Sequence, residues 1–130
     1  MIVLDASAVV DLLASAAVNQ DLRERILGDD DRHAPHLLDV EVAQALRGLI
    51  ARGALSDDRA SDARADAALL PIVRYPHLPL VERAWELRAN LSVCDGVYVA
   101  LAELLGAPLV TCDLRLAGVP SHTATVEVFG

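Results

Sequence analysis

Lysine is absent from this chain: all 11 basic residues are arginine. A haloacid-dehalogenase-type phosphatase needs a lysine and a second acid two residues after its first aspartate, and that position here is Ser7. A phosphoacceptor receiver domain fails for the same missing lysine, and no glycine-rich loop ends in Lys-Ser/Thr as a P-loop hydrolase requires. Aromatic residues make up only 3% of the chain. Trp85, Tyr75, Tyr98 and Phe129 are too scattered for a base-stacking platform and read as packing residues, with Tyr98 one turn from Asp95 at the rim of any site there. Basic charge is scarce as well. A formal net charge of -8 argues against holding nucleic acid through a broad basic surface, so any RNA contact needs metal ions, locally clustered arginines or dimerisation.

Long apolar runs are missing too. Hydrophobic residues reach 54%, yet Arg88 and Glu103 interrupt the longest stretches well short of the ~18 residues a membrane helix needs. No basic stretch precedes an apolar run at the amino terminus, so a secretory signal is not expected, the protein is expected to be cytoplasmic, and Cys94 and Cys112 are expected to be reduced small core residues. The histidines His33, His36, His77 and His122 fall in turns or at strand ends, with no two at i,i+4, which argues against zinc. No glycine- or serine-rich linker divides the 130 residues, so residues 1–130 read as a single domain.

What the chain does have is period. Leu38, Val42, Ala45, Leu46 and Leu49 form one helical stripe, Leu80, Ala84, Leu87 and Leu91 a second, and Val97, Ala100, Leu101, Leu104 and Leu105 a third. Gly106 and Pro108 end the third, Gly53 stops the first, and Ser56-Asp57-Asp58 starts another helix whose inner face is Ala60, Ala63, Ala67 and Leu70. Short strand-like runs alternate with these: 2–4, His33-Ala34, 72–75, 109–111 and 126–129. That order predicts βαβ crossovers and a mainly parallel sheet with helices on both faces. The run Gly28-Asp-Asp-Asp-Arg32 reads as a solvated charged turn.

Four acids stand at special places in this pattern. Asp5 and Asp113 close the first and fourth candidate strands, where an open parallel sheet binds its ligands. Asp95 precedes the third stripe. Glu41 lies beside the buried stripe of Leu38 and Ala45, where an ionised carboxylate needs a partner; Arg47 or Arg74 is the salt-bridge alternative. Each aspartate also reads as a helix cap, and neighbouring Asp39, about 200° around the helix, should face solvent or cap. Were all four to converge, each close pair would repel by roughly 4 kcal/mol at about 4 Å in an effective dielectric near 20. Oxygen-only ligands select Mg²⁺ or Mn²⁺ over zinc, and such ions suit phosphodiester hydrolysis by an activated water. Ser7 and Thr111 are candidates to hydrogen-bond the carboxylates or a metal-bound water, and Ser7 equally to cap a helix.

The segments 2–10, 34–42, 94–103 and 109–117, in this order and spacing, resemble a PIN-domain ribonuclease, specifically a VapC-type toxin of a type II toxin–antitoxin system. The resemblance covers nearly the whole chain. It implies a PIN-like three-layer α/β/α sandwich with a short, mainly parallel central sheet. It also implies that Asp5, Glu41, Asp95 and Asp113 are the catalytic and metal-binding acids, with Thr111 as the supporting hydroxyl. The implied activity is Mg²⁺- or Mn²⁺-dependent endonucleolytic cleavage of RNA, of the tRNA or rRNA class, by a homodimer inhibited by a cognate VapB-type antitoxin. That antitoxin is expected to wrap a hydrophobic groove and place an arginine near the acids. Gly96 departs from the alanine more usual in the family and is expected to loosen the first helical turn by up to ~1 kcal/mol. The rival reading is a catalytically inactive PIN-like interaction module.

Overall fold

The computed structural model describes residues 1–130 and contains five strands and six α-helices. The strands are β1 (Ile2–Leu4), β2 (Arg32–Pro35), β3 (Val73–Tyr75), β4 (Leu109–Thr111) and β5 (Val126–Val128). All four neighbouring pairs are parallel, in the order β3-β2-β1-β4-β5. The helices are α1 (Ala6–Ala14), α2 (Gln20–Leu27), α3 (Leu37–Ala51), α4 (Asp57–Leu69), α5 (Val81–Glu86) and α6 (Val93–Leu105). α6 packs on β1, β2 and β4 with α5 against it, while α1 packs on β4 and against α3 and α4.

β1, β4 and the apolar face of α6 form the centre of the core: Ile2, Leu4, Leu101 and Leu109 are fully enclosed. Each such side chain contributes roughly 1.5–3 kcal/mol through removal from water. β1 and the first two residues of β4 are continuous apolar runs because both faces of the sheet are covered at its centre. Gly53 and Gly106 end α3 and α6 with positive φ, the left-handed conformation that glycine adopts without penalty. Ser56 caps α4 through Arg59 N, as its position before two aspartates predicts. No helix is long and apolar enough to cross a membrane.

Three expectations change in detail. The second apolar stripe yields a 3-10 turn (Leu78–Leu80) and then only six residues of α-helix. The Leu87 N–H is shared between the Arg83 and Ala84 carbonyls, so the helix tightens and unwinds through Asn90 while Leu87 and Leu91 stay buried. The turn before β2 is more than solvated charge. Asp29 binds the chain's amino group at 3.0 Å and Arg25 at 3.6 Å, and Arg32 is buried with its guanidinium donating to the Ile26 carbonyl. Gly96, finally, has a packing role in α6 that the sequence does not show. A Cβ there would lie 3.0 Å from both Ala84 Cα and Cβ, so the bare backbone is what lets α5 press onto α6.

The strand order places a topological switch at the centre of the sheet. From β1 the chain moves outward to β2 and β3, then crosses back to β4 on the other side of β1. Connections leave β1 and β4 in opposite directions, which opens a crevice at their carboxyl ends. Asp5 and Asp113 stand there.

Candidate active site

Asp5 caps α1: its Oδ1 accepts from Ala8 N at 3.0 Å and from Ser7 Oγ at 2.7 Å. Its Oδ2 accepts from Thr111 Oγ1 at the end of β4. Each hydroxyl has one proton, so with both donated to Asp5 each can only accept elsewhere. Ser7 Oγ accepts from Cys112 N at 2.9 Å, and Thr111 Oγ1 from Asp113 N at 3.0 Å. Ser7 therefore caps no helix. It joins Thr111 in tying the ends of β1 and β4 around one carboxylate that is only 5% exposed. Burial raises the pKa of Asp5, the Thr111, Ser7 and Ala8 hydrogen bonds oppose that shift, and the negative charge of Asp95 adds to it.

Glu41 projects from the first half of α3 and is half-buried without an ion pair. Arg74, one of its two candidate partners, binds Asp39 instead, with contacts of 2.7 and 3.0 Å, and Arg47 makes no ion pair at all. Burial raises the pKa of Glu41, the nearby Tyr98 hydroxyl opposes that shift, and the charges of Asp95 and Asp5 add to it. Asp95 lies in the first turn of α6, where Ser92 Oγ accepts from its backbone N–H at 3.1 Å.

Asp5, Glu41, Asp95 and Asp113 all line one open pocket of about 280 Å³, whose wall includes Ser7, Gln44 and Tyr98. Asp113 differs from the other three. Its carboxylate caps the 3-10 turn Leu114–Leu116 and is gripped by the Arg115 guanidinium, with a shortest contact of 2.6 Å, which lowers its pKa.

Tyr98 is not at the rim. It is 1% exposed beneath the acids, and its hydroxyl lies beside the Glu41 carboxylate without a well-formed hydrogen bond. Burial and the neighbouring Glu41 carboxylate raise its pKa, so the phenol keeps its proton and remains a donor aimed at the pocket. The i,i+3 spacing from Asp95 carried this signal only partly. Gln44, at i+3 from Glu41, had the same signal and escaped notice among alanines.

The donor set is hard oxygen throughout, with two carboxylates already pushed toward protonation and an unsatisfied phenol beneath them. That chemistry fits a divalent cation. No three of the acids are close enough to surround a single ion, and the Arg115 grip on Asp113 is one reason. The cysteines are free thiols, Cys94 exposed and Cys112 partly covered, and no histidine lines the pocket.

The PIN domain family model matches residues 2–121. This chain belongs to the PIN-domain family. Within the family it is 43% identical over 128 residues to ribonuclease VapC12 of Mycobacterium tuberculosis, covering 98% of both chains. Ribonuclease VapC1 of the same organism is 46% identical over 131 residues, covering 97% of this chain and 96% of the relative. The fold of this PIN domain also matches a chain of a toxin–antitoxin complex from Klebsiella pneumoniae, at a TM-score of 0.65 and 18% identity over 92% of this chain and 93% of the other.

Proposed function

We propose that this PIN domain is the toxin of a type II toxin–antitoxin pair, a Mg²⁺- or Mn²⁺-dependent endoribonuclease that uses water as nucleophile. The observation that carries the reading is the meeting of Asp5, Glu41, Asp95 and Asp113 in one pocket at the topological switch. Near-full-length similarity to two VapC ribonucleases supports it. Asp5, Glu41 and Asp95 would supply the cation's carboxylate ligands once their side chains draw together, with Asp113 joining when Arg115 turns away. A bound divalent ion lowers the pKa of an attacking water and neutralises charge on the leaving oxygen. Ser7 and Thr111 hold Asp5 in one rotamer, and Tyr98 offers a proton to whatever oxygen enters above it.

The expected inhibitor is a VapB-type antitoxin, as the likeness to a chain of a toxin–antitoxin complex suggests. A homodimer, a cytoplasmic location and a tRNA or rRNA substrate complete the proposal. One observation favours the rival, a non-catalytic interaction module: three acids never approach closely enough to share an ion in this conformation. Purified protein incubated with total RNA decides between them. Cleavage that needs Mg²⁺ or Mn²⁺, stops with EDTA and is lost in Asp5→Asn and Glu41→Gln supports the nuclease; identical behaviour of wild type and both variants supports the module. Sequencing the new 5′ ends identifies the RNA.

A further inference from the structure

Of the 11 arginines, Arg25, Arg74, Arg83 and Arg115 are neutralised by carboxylates. Arg47 on α3 and Arg64 on α4 are exposed, form no ion pair, and share the seam between their helices. They line two adjoining hollows there, of about 530 and 140 Å³. The only acid in either lining is Asp39, whose charge Arg74 already takes. α4 carries Asp57, Asp58, Asp62 and Asp66, yet none of them faces the seam. Arg59 also lies outside the seam, so Arg64 is the only charged residue that α4 contributes to it. In a chain of net charge -8, that leaves a local, uncompensated pair of cations on a floor of alanine and valine.

The seam also has an address. Gln44 lines both the larger hollow and the acidic pocket, so the two adjoin at this side chain. Glu41, Gln44 and Arg47 follow one another at i, i+3 and i+6 on α3, which spaces acid, amide and cation over roughly 9 Å of helix. An extended polyanion whose phosphate sits at the acids meets the amide and then the arginines as it leaves. Arg47 has a planar fork of donors matched to phosphate oxygens, and Arg64 the same from the facing helix.

We infer that the α3–α4 seam, through Arg47 and Arg64, is the track for the phosphate backbone of single-stranded RNA leaving the acidic pocket, with Gln44 at the junction. This rests on the nuclease reading above for its substrate, and the seam supplies the basic surface that the overall charge denies.

The test is binding without catalysis. A fluorescein-labelled single-stranded RNA of mixed sequence is titrated with the full-length protein in EDTA between 50 and 200 mM salt, by anisotropy. Wild type is compared with Arg47→Gln/Arg64→Gln and with the charge-matched Arg23→Gln/Arg88→Gln, whose arginines lie on α2 and after α5. The seam variant is expected to lose about tenfold in affinity and about 1.4 from the log–log salt slope, since each single-strand phosphate contact contributes ~0.7, while the control keeps the wild-type slope. Equal slopes for the three proteins, equal losses in both variants, or no RNA binding by wild type each overturn the inference; an acidic protein partner then becomes the better occupant of the seam. Wild-type protein that binds RNA through the seam but never cleaves it would sink the nuclease reading and leave the track standing.

Discussion

Thr111 donates its hydroxyl proton to Asp5 across 106 residues of sequence, a side-chain bond that adds to the backbone ladder between the two strands whose ends define the acidic crevice. Thr111 is completely buried, so the bond is not shared with bulk water. Substituting valine keeps the shape and removes the donor, and it also leaves the Asp113 N–H without its acceptor. Thr111→Val should therefore cost about 1–3 kcal/mol in urea unfolding. It should also lower RNA cleavage more than RNA binding, because Asp5 loses a bond that favours its charged form. A variant of unchanged stability would show that the strand-to-strand tie is dispensable.

Gly96 and Ala84 make a second prediction that helix propensity alone gets wrong. In an isolated helix, Gly96→Ala would gain up to ~1 kcal/mol. Here the new methyl meets Ala84 Cα and Cβ at 3.0 Å and the Ala84 carbonyl oxygen at 3.2 Å, so α5 has to retreat. Overpacking of this kind typically costs about 1–3 kcal/mol. Gly96→Ala should be destabilised in thermal unfolding, and Gly96→Ala/Ala84→Gly should recover only part of the loss, because the contacts to the residue-84 Cα and carbonyl oxygen remain. A stabilised single variant would refute the close-approach argument.

How much of this was open to sequence reading follows from which signals are local. The five strands and the four acids were legible because each acid terminates an apolar run or lies beside a helical stripe, and those patterns survive in one dimension. α2 was not read at all: Leu22 and Ile26 give it only one buried i,i+4 pair among charges, too little period to stand out. The Gly96 contact was illegible because it depends on the distance between two helices. The ion pair of Asp39 with Arg74 and the isolation of Arg47 likewise depend on which strand lies beside α3. The orphaned Tyr98 hydroxyl shows the same limit, since spacing brought it near Asp95 but could not tell rim from floor.

Arg115 holds Asp113 where a cation would otherwise compete for the carboxylate. Its side chain is 82% exposed, so the pair is weak and solvent-screened. Removing the guanidinium should free Asp113 for metal. Arg115→Ala is expected to bind Mn²⁺ modestly more tightly in calorimetric titration, because the competing pair is solvent-screened. Weaker Mn²⁺ binding would mean that Arg115 organises the site instead of guarding it.

Glu103, about two turns along α6 from Asp95, gives the clearest pH signature. Its carboxylate takes two bonds from the Arg83 guanidinium, at 2.9 and 3.1 Å, and two from Thr123, the backbone N–H at 2.9 Å and the hydroxyl at 3.1 Å. The Arg83 bond is the largest cause of a pKa lowered to about 2 from the ordinary 4.5. A depressed acid stabilises the fold above its unfolded pKa, so this contribution is complete above 4.5 and is lost as pH falls toward 2. Asp5 and Glu41 are raised, and protonating them acts in the opposite direction, so wild-type stability alone mixes the two effects. The difference between wild type and Glu103→Gln separates them. It should be about 2 kcal/mol at neutral pH, allowing for the exposure of Arg83, and should shrink steadily in urea unfolding below about pH 4.5. A difference that stays constant from neutral pH down to about pH 3 would mean that the Glu103 charge contributes nothing.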